Sequence, residues 1–240
     1  MATPQEIITR VQRIVRDPSY GLPDYLDYMN QGIRLIAGGI TVSEAGQPDR
    51  ISSPLPALMQ TANVTTDPAC QNPFIPLPND YGRNLFWCSD GGIMIEGGVR
   101  IRVYETFGEF QYYYPNLTMQ MGAPVIGVAV QGEQNLYYQG IPNPAQALII
   151  RYYRLPNPVV DPATDPIDGL PVHLQEKLLE SFMSWQLYQL IEDAAEGKGA
   201  MPNSDKWEGR FMKAMIELDN WIPTQHESML ITLDEDPWRY

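Results

Sequence analysis

Few residues of this 240-residue chain can do chemistry: its histidines are His173 and His226, and its cysteines are Cys70 and Cys88. A zinc centre needs thiolates and imidazoles clustered at short, regular spacing. The two cysteines lie 18 positions apart, and neither histidine has a second imidazole nearby. They read as ordinary thiols and as structural or solvated imidazoles. Asp161, Asp165 and Asp168 suggest a calcium loop, but the D-x-D-x-D-G alternation and the closing glutamate of such a loop are missing, so turn and cap roles are expected. Asp234, Glu235 and Asp236 read as a solvated acidic run. Glu105 and Glu109, if they lay one helical turn apart, would form the carboxylate pair of a glycan hydrolase. Tyr112, Tyr113, Tyr114, Tyr137, Tyr138, Tyr152 and Tyr153 could stack on sugars or bases if exposed. No basic residues interleave the first five, and strand tyrosines usually pack with the hydroxyl at the surface, so core or protein interface is the favoured role. The sequence contains no phosphate loop, nucleophile elbow, dinucleotide fingerprint or zinc-protease helix. The expectation is a protein without catalytic residues, cofactor or metal.

Charge narrows the partners. The formal net charge is −13, and the segment from Asp161 onward holds 16 acidic and 6 basic side chains. Sequence-independent grip on phosphates needs clustered Lys and Arg, so nucleic-acid binding by this chain alone is not expected. The N-terminal stretch MATPQEIITRVQRIV lacks the apolar core of a signal peptide, and no run of about 18 apolar residues exists. These features predict a protein made in a cytoplasm, or carried out of one in a particle, and without membrane partners.

The elements that must position these residues follow from periodicity and punctuation. Thr3, Pro4 and Glu6 form a capping box with proline at the first helical position, opening a helix with apolar Ile7, Ile8, Val11, Ile14 and Val15 that stops near Asp17-Pro18. A second helix begins around Pro23-Asp24, with Leu26, Met29, Ile33, Ile36, Ala37 and Ile40 on one face. From about Thr41 to Pro158 the chain is rich in loops and short apolar bursts, with strands predicted at 93–96, 99–104, 125–131, 135–139 and 147–154 and a short helix at 106–114. After a turn-rich linker at 161–171, a helix over 172–195 carries Leu174, Leu178, Phe182, Trp185 and Gln189, flanked by Leu179, Met183 and Leu190. A last helix, capped by Asn203-Ser204-Asp205, places Trp207, Phe211, Met215, Leu218 and Ile222 at helical spacing and is expected to stop at Pro223.

The fold class this predicts is α+β. A four-helix bundle is built from both chain ends (1–42 and 161–222), with a β-rich domain (43–160) inserted and an extended C-terminal arm (223–240). A free terminus gains nothing from large aromatics, so Trp238 and Tyr240 are expected to anchor in a neighbour. Trp221, Met229, Leu230, Ile231 and Leu233 complete the expected interface.

Four phrases in this order, PDYLDYMNQGIRLIAGG, FIPLPNDYGRNLFWCSD, LYYQGIPNPAQALIIRYYRLP and DGLPVHLQEKLLESFMSWQLYQLIED, followed by an acidic helix and the arm, give the chain a recognisable pattern. It resembles the head-to-tail adaptor proteins of tailed bacteriophages, ring proteins that sit beneath the portal. The resemblance covers nearly the whole chain. It implies a non-enzymatic virion protein of the neck, assembled in the host cytoplasm. It also implies a ring of twelve copies around the DNA channel, portal and tail or nozzle proteins as partners, DNA passing without specific binding, and a C-terminal segment that embraces a neighbour. Twelve copies at −13 each total −156, and an acidic lumen would let DNA slide. The rival expectations are a tail-completion or nozzle component that contacts the tail rather than the portal, and a carbohydrate-binding virion protein.

Overall fold

A computed structural model describes residues 3–42, 49–67, 73–91, 99–116, 122–132, 134–194 and 202–230, with Ala194 and residues 223–230 described by backbone alone. The chain divides into two compact units, Met1–Ala57 with Pro156–Tyr240, and Leu58–Leu155. The architecture is α+β.

The first unit is helical. Helix α1 (Pro4–Val15) opens with the predicted capping box: Glu6 N donates to Thr3 Oγ1 at 3.2 Å and Thr3 N donates to Glu6 Oε2 at 3.0 Å. It ends with Arg16 in the left-handed region, one residue before Asp17-Pro18. Helix α2 (Leu22–Gly38) is capped by Asp24, which accepts from Gly21 N at 2.7 Å. Tyr25 takes the buried place expected for Leu26, which is half-buried, and Ile40 lies beyond the helix end. A two-residue ladder, β1 (Thr41–Val42) with β2 (Arg50–Ile51), follows.

Helix α4 (Val172–Ala194), numbered after the short α3 of the second unit, is the element on which α1, α2 and α5 (Pro202–Leu230) each pack. Leu174, Leu178, Leu179, Phe182 and Met183 are buried as their spacing predicts, and so is Leu187. Gln189 and Leu190 are exposed, so the predicted apolar face is not buried to the end of α4. At Gly32 of α2 an added Cβ would lie 2.6 Å from Phe182 Cδ1, so the absence of a side chain sets how closely α2 approaches α4. Phe182 and Trp185 meet Phe211 of α5 at ring-centroid distances of 5.4 and 5.8 Å. On α5, Trp207, Phe211, Met215, Leu218 and Ile222 are all buried, as predicted.

Proline 223 does not end α5. The helix runs through it to Leu230, so the first eight residues of the expected arm are helical. Proline keeps a helical φ, so a helix can carry one, at the cost of a backbone bond and of crowding between its ring and the carbonyl four residues earlier.

The second unit is a seven-stranded sheet ordered β3-β9-β5-β6-β7-β8-β4. Its strands are β3 (Met59–Thr65), β4 (Phe74–Pro76), β5 (Tyr81–Asp90), β6 (Arg100–Tyr104), β7 (Gly127–Gln131), β8 (Asn135–Gln139) and β9 (Ala147–Arg154). All pairs are antiparallel except β6 with β7, which are joined through α3 (Phe107–Tyr113). Strands β8 and β9 have the predicted bounds, while β7 starts two residues later than expected. The strand predicted at 93–96 lies outside the described residues. The core joins Cys88, Ile101, Val128, Leu136, Tyr138, Leu148, Ile150 and Tyr152.

Candidate interaction surfaces

In the helical unit, polar side chains tie segments together. Asp219 of α5 is only 5% exposed. Its Oδ2 lies 2.7 Å from Arg50 Nη2, and its Oδ1 accepts from Ser53 N at 2.9 Å. The carboxylate thereby clamps the chain leaving β2 onto α5. Its position, four residues after Met215 and three before Ile222, was the sequence signal, because it puts an acid on the buried stripe. Glu192, in the last turn of α4, reaches the start of α5. Its Oε1 accepts from Asn203 N and Nδ2 at 3.1 and 3.0 Å, and its Oε2 accepts from Ser204 N at 3.1 Å. The cap expected from Asn203-Ser204-Asp205 is therefore supplied by another helix, and these three residues are inside α5. An acid at a helix C-terminus is electrostatically misplaced for its own helix, and that was its sequence signal.

The linker carboxylates are likewise occupied by the chain itself. Asp165 Oδ2 accepts from Val160 N and Asp161 N, both at 2.8 Å, and these bonds hold its carboxyl below the usual carboxylate range. Asp161 accepts from Ala163 N at 3.0 Å and Thr164 Oγ1 at 2.9 Å, and Asp168 from Asn157 N at 2.8 Å. Asn30 of α2 clasps Val159, its Oδ1 accepting from Val159 N at 2.8 Å and its Nδ2 donating to Val159 O at 2.9 Å. Asp161, Asp165 and Asp168 thus take the turn and cap roles the sequence predicted, while the Asn30 clasp was not foreseen.

A cleft of ≈ 540 Å³ runs along α4 and α5, lined by His173, Glu176, Lys177, Trp207, Arg210 and Lys213. Arg210 stacks on the Trp207 ring at 4.3 Å, while Lys177 pairs with Glu217 and Glu176 with Arg10. His173 packs edge-on against Trp221 with ring centroids 5.4 Å apart. Trp221, the first of the expected anchors, is therefore a half-buried residue of α5. Met229 and Leu230 lie in α5, where only the backbone is described, as it is for His226. Ile231, Leu233, Asp234, Glu235, Asp236, Trp238 and Tyr240 lie outside the described residues, as does Cys70.

In the sheet unit the tyrosines separate by role. Tyr138 and Tyr152 are in the core, and Tyr152 donates to Asp80 Oδ1 at 2.7 Å. Tyr104 is packed by Phe110, Tyr113 and Tyr114, with Arg102 4.6 Å from its ring. Burial first, then the hydrogen bond to the Tyr114 hydroxyl, pushes the Tyr104 phenol up to about 12. Burial alone pushes the Cys88 thiol up to about 12. Tyr112, 81% exposed, is the outermost ring of the group. Glu105 and Glu109 do not share a helix: Glu105 is in the bend before α3, because Thr106 caps the helix by accepting from Glu109 N. Glu109 lies 3.7 Å from Arg102.

These observations define an α+β protein of two units whose conspicuous polar groups bind its own segments, and whose described helices include none long and apolar enough to cross a membrane. Residues 2–230 match the SU10 adaptor protein family; the chain belongs to that family, a family of phage head-to-tail adaptors, the class its sequence resembles. No curated protein matched the chain.

Proposed function

We propose that this protein is a structural, non-enzymatic component of the virion neck, assembled in the host cytoplasm. It forms a ring beneath the portal that links the capsid to the tail around the DNA channel. The observation that carries the reading is the family match, which spans both units. In this reading, residues 1–42 and 161–222 form a four-helix bundle that docks on the portal, and the packing of α1, α2 and α5 on α4 supports it. The β-rich region, 43–160, extends towards the next tail component. The segment 223–240 contacts a neighbour through Met229, Leu230, Ile231, Leu233, Trp238 and Tyr240, with Trp221 just before it at the same interface.

Two features of the site support a non-enzymatic role. The Cys88 thiol is buried in the sheet core, and the Tyr104 ring is packed among Phe110, Tyr113 and Tyr114, so neither group is presented to a substrate. Glu109, half of the carboxylate pair that a glycan hydrolase would need, is engaged by Arg102. The acidic balance supports a lumen that repels phosphate.

Native mass spectrometry of the protein alone and mixed with the portal of the same particle tests the reading. A stoichiometric ring on the portal is the expected result. Absence of any portal complex, with binding confined to a tail component through the sheet unit, overturns portal docking in favour of a tail-completion role.

A further inference from the structure

The two edges of the seven-stranded sheet are unequal. Edge strand β4 is three residues long, contains Pro76 and is flanked by Pro73 and Pro78, so it is poorly fitted to accept another strand. The opposite edge, β3, is seven residues of Met-Gln-Thr-Ala-Asn-Val-Thr without charge, proline or glycine, and among the described residues it pairs with β9 alone. Such an edge presents unpaired backbone donors and acceptors, the template that natural sheets ordinarily protect.

Its two faces differ in kind. Ala62 and Val64 lie against the sheet core, while Thr61 and Asn63 point to the opposite face. On that face Thr61 is opposite Arg151, an exposed cation stacked 4.7 Å from the Trp87 ring, with which no carboxylate pairs among the described residues. A strand that completes this edge needs apolar residues at alternate positions on one side and polar, preferably acidic, residues on the other.

The sequence beyond the end of α5 has a pattern of this kind. In Ile231-Thr232-Leu233-Asp234-Glu235-Asp236, apolar Ile231 and Leu233 alternate with Thr232, Asp234 and Asp236, Glu235 follows on the Ile231 parity after the apolar pair, and Pro237 closes the run. We infer that residues 231–236 of a second copy add to the sheet beside β3, extending the apolar face past Ala62 and Val64 and bringing carboxylates to the Arg151 face. The inference rests on the proposed role of the C-terminal segment in contacting a neighbour, and it assigns the receptor. Because donor segment and receptor edge are different surfaces, the contact is heterologous and propagates from copy to copy, as a ring requires.

The test uses a fluorescein-labelled peptide of residues 229–240, titrated by anisotropy into the full chain and into a chain ending at Leu230, so that an edge already occupied is not mistaken for an absent one. Binding is expected to weaken at least tenfold in Thr61→Glu/Asn63→Glu, whose substitutions are on exposed side chains, and to return with a peptide carrying Asp234→Lys and Asp236→Lys. Equal binding to wild type and the double variant, or no binding to either chain, overturns the assignment. Should the chain ending at Leu230 lose ring assembly while the double variant keeps it, the neighbour contact stands and the β3 receptor falls. Unchanged assembly of the chain ending at Leu230 removes both. A full chain that stays monomeric and binds peptide only after residues 231–240 are removed shows docking within one copy and overturns exchange between copies.

Discussion

Replacing Asp219 by alanine should be among the most damaging single changes in the helical unit. Two interactions are lost together: the bond from Ser53 N to a nearly buried carboxylate, at 2.9 Å, and the 2.7 Å pair with Arg50. A hydrogen bond to a charged acceptor contributes roughly 1.5–3 kcal/mol. The Arg50 side chain is 43% exposed, so its pair with Asp219 is screened and is given no more than about 1 kcal/mol. The sum is about 3 kcal/mol, or ~6–12 °C in Tm for a chain of this size. Asparagine keeps an acceptor for Ser53 and should cost about 1 kcal/mol. The assay is urea and thermal unfolding followed by circular dichroism at 222 nm for Asp219→Ala, Asp219→Asn, Arg50→Ala and the Asp219/Arg50 double variant. A coupling energy between the two positions within about 1 kcal/mol is expected. If Asp219→Ala costs less than about 0.5 kcal/mol, as an ordinary surface change would, the clamp between the β2 segment and α5 is not a stabilising feature.

Other outcomes follow from the same packing. Gly32→Ala pushes a Cβ to 2.6 Å from Phe182 and should destabilise by roughly 1–3 kcal/mol by overpacking, whereas Gly38→Ala, with open space around it, should be far milder in the same unfolding assay. Glu192→Ala removes the interhelical cap of α5 and should cost about 1 kcal/mol, read as a lower urea midpoint, with Glu192→Gln recovering part of it. Tyr104 and Tyr152 have phenols raised above the ordinary value of 10, Tyr104 to about 12. The unfolded chain therefore loses these protons first, and their contribution to stability is intact below pH 10 and falls as pH climbs through that window. Urea midpoints measured between pH 8 and 11.5 should decline as tyrosinate absorbance at 295 nm in the unfolded chain rises; a flat midpoint profile contradicts the burial of these rings.

Much of the helical framework was legible because its signals are local. The Thr3 capping box, the stripes of α4 and α5 and the proline-led start of α2 each depend on residues within a few turns. Pro223 misled for the same reason: a local rule predicts a stop, whereas the helix continues through it to Leu230. Asn203 to Asp205 looked like a cap, while the acceptor was Glu192, eleven residues earlier on the preceding helix. In the sheet, β8 and β9 were readable from their apolar alternation. Strand β5 was not, because Gly82 and Asn84, the latter with φ at 53°, interrupt it with register shifts. Nor was β3, whose residues are mostly polar because it has one neighbour and an open edge. Of the candidate site, the turn roles of Asp161, Asp165 and Asp168 were foreseeable from spacing. The pairing of Glu109 with Arg102 was not, since it depends on β6 delivering an arginine beside α3.

The ladder between β3 and β9 has a consequence for how this chain can vary. Met59 is opposite Tyr153, so the sheet unit begins and ends on adjacent, antiparallel strands a few ångströms apart. To the helical unit, an excursion of nearly a hundred residues is topologically a loop with neighbouring ends. Such a module can lengthen, shrink or be exchanged for another with paired termini while the helices on either side keep their own contacts. The sheet unit can therefore diverge on a helical framework that stays the same.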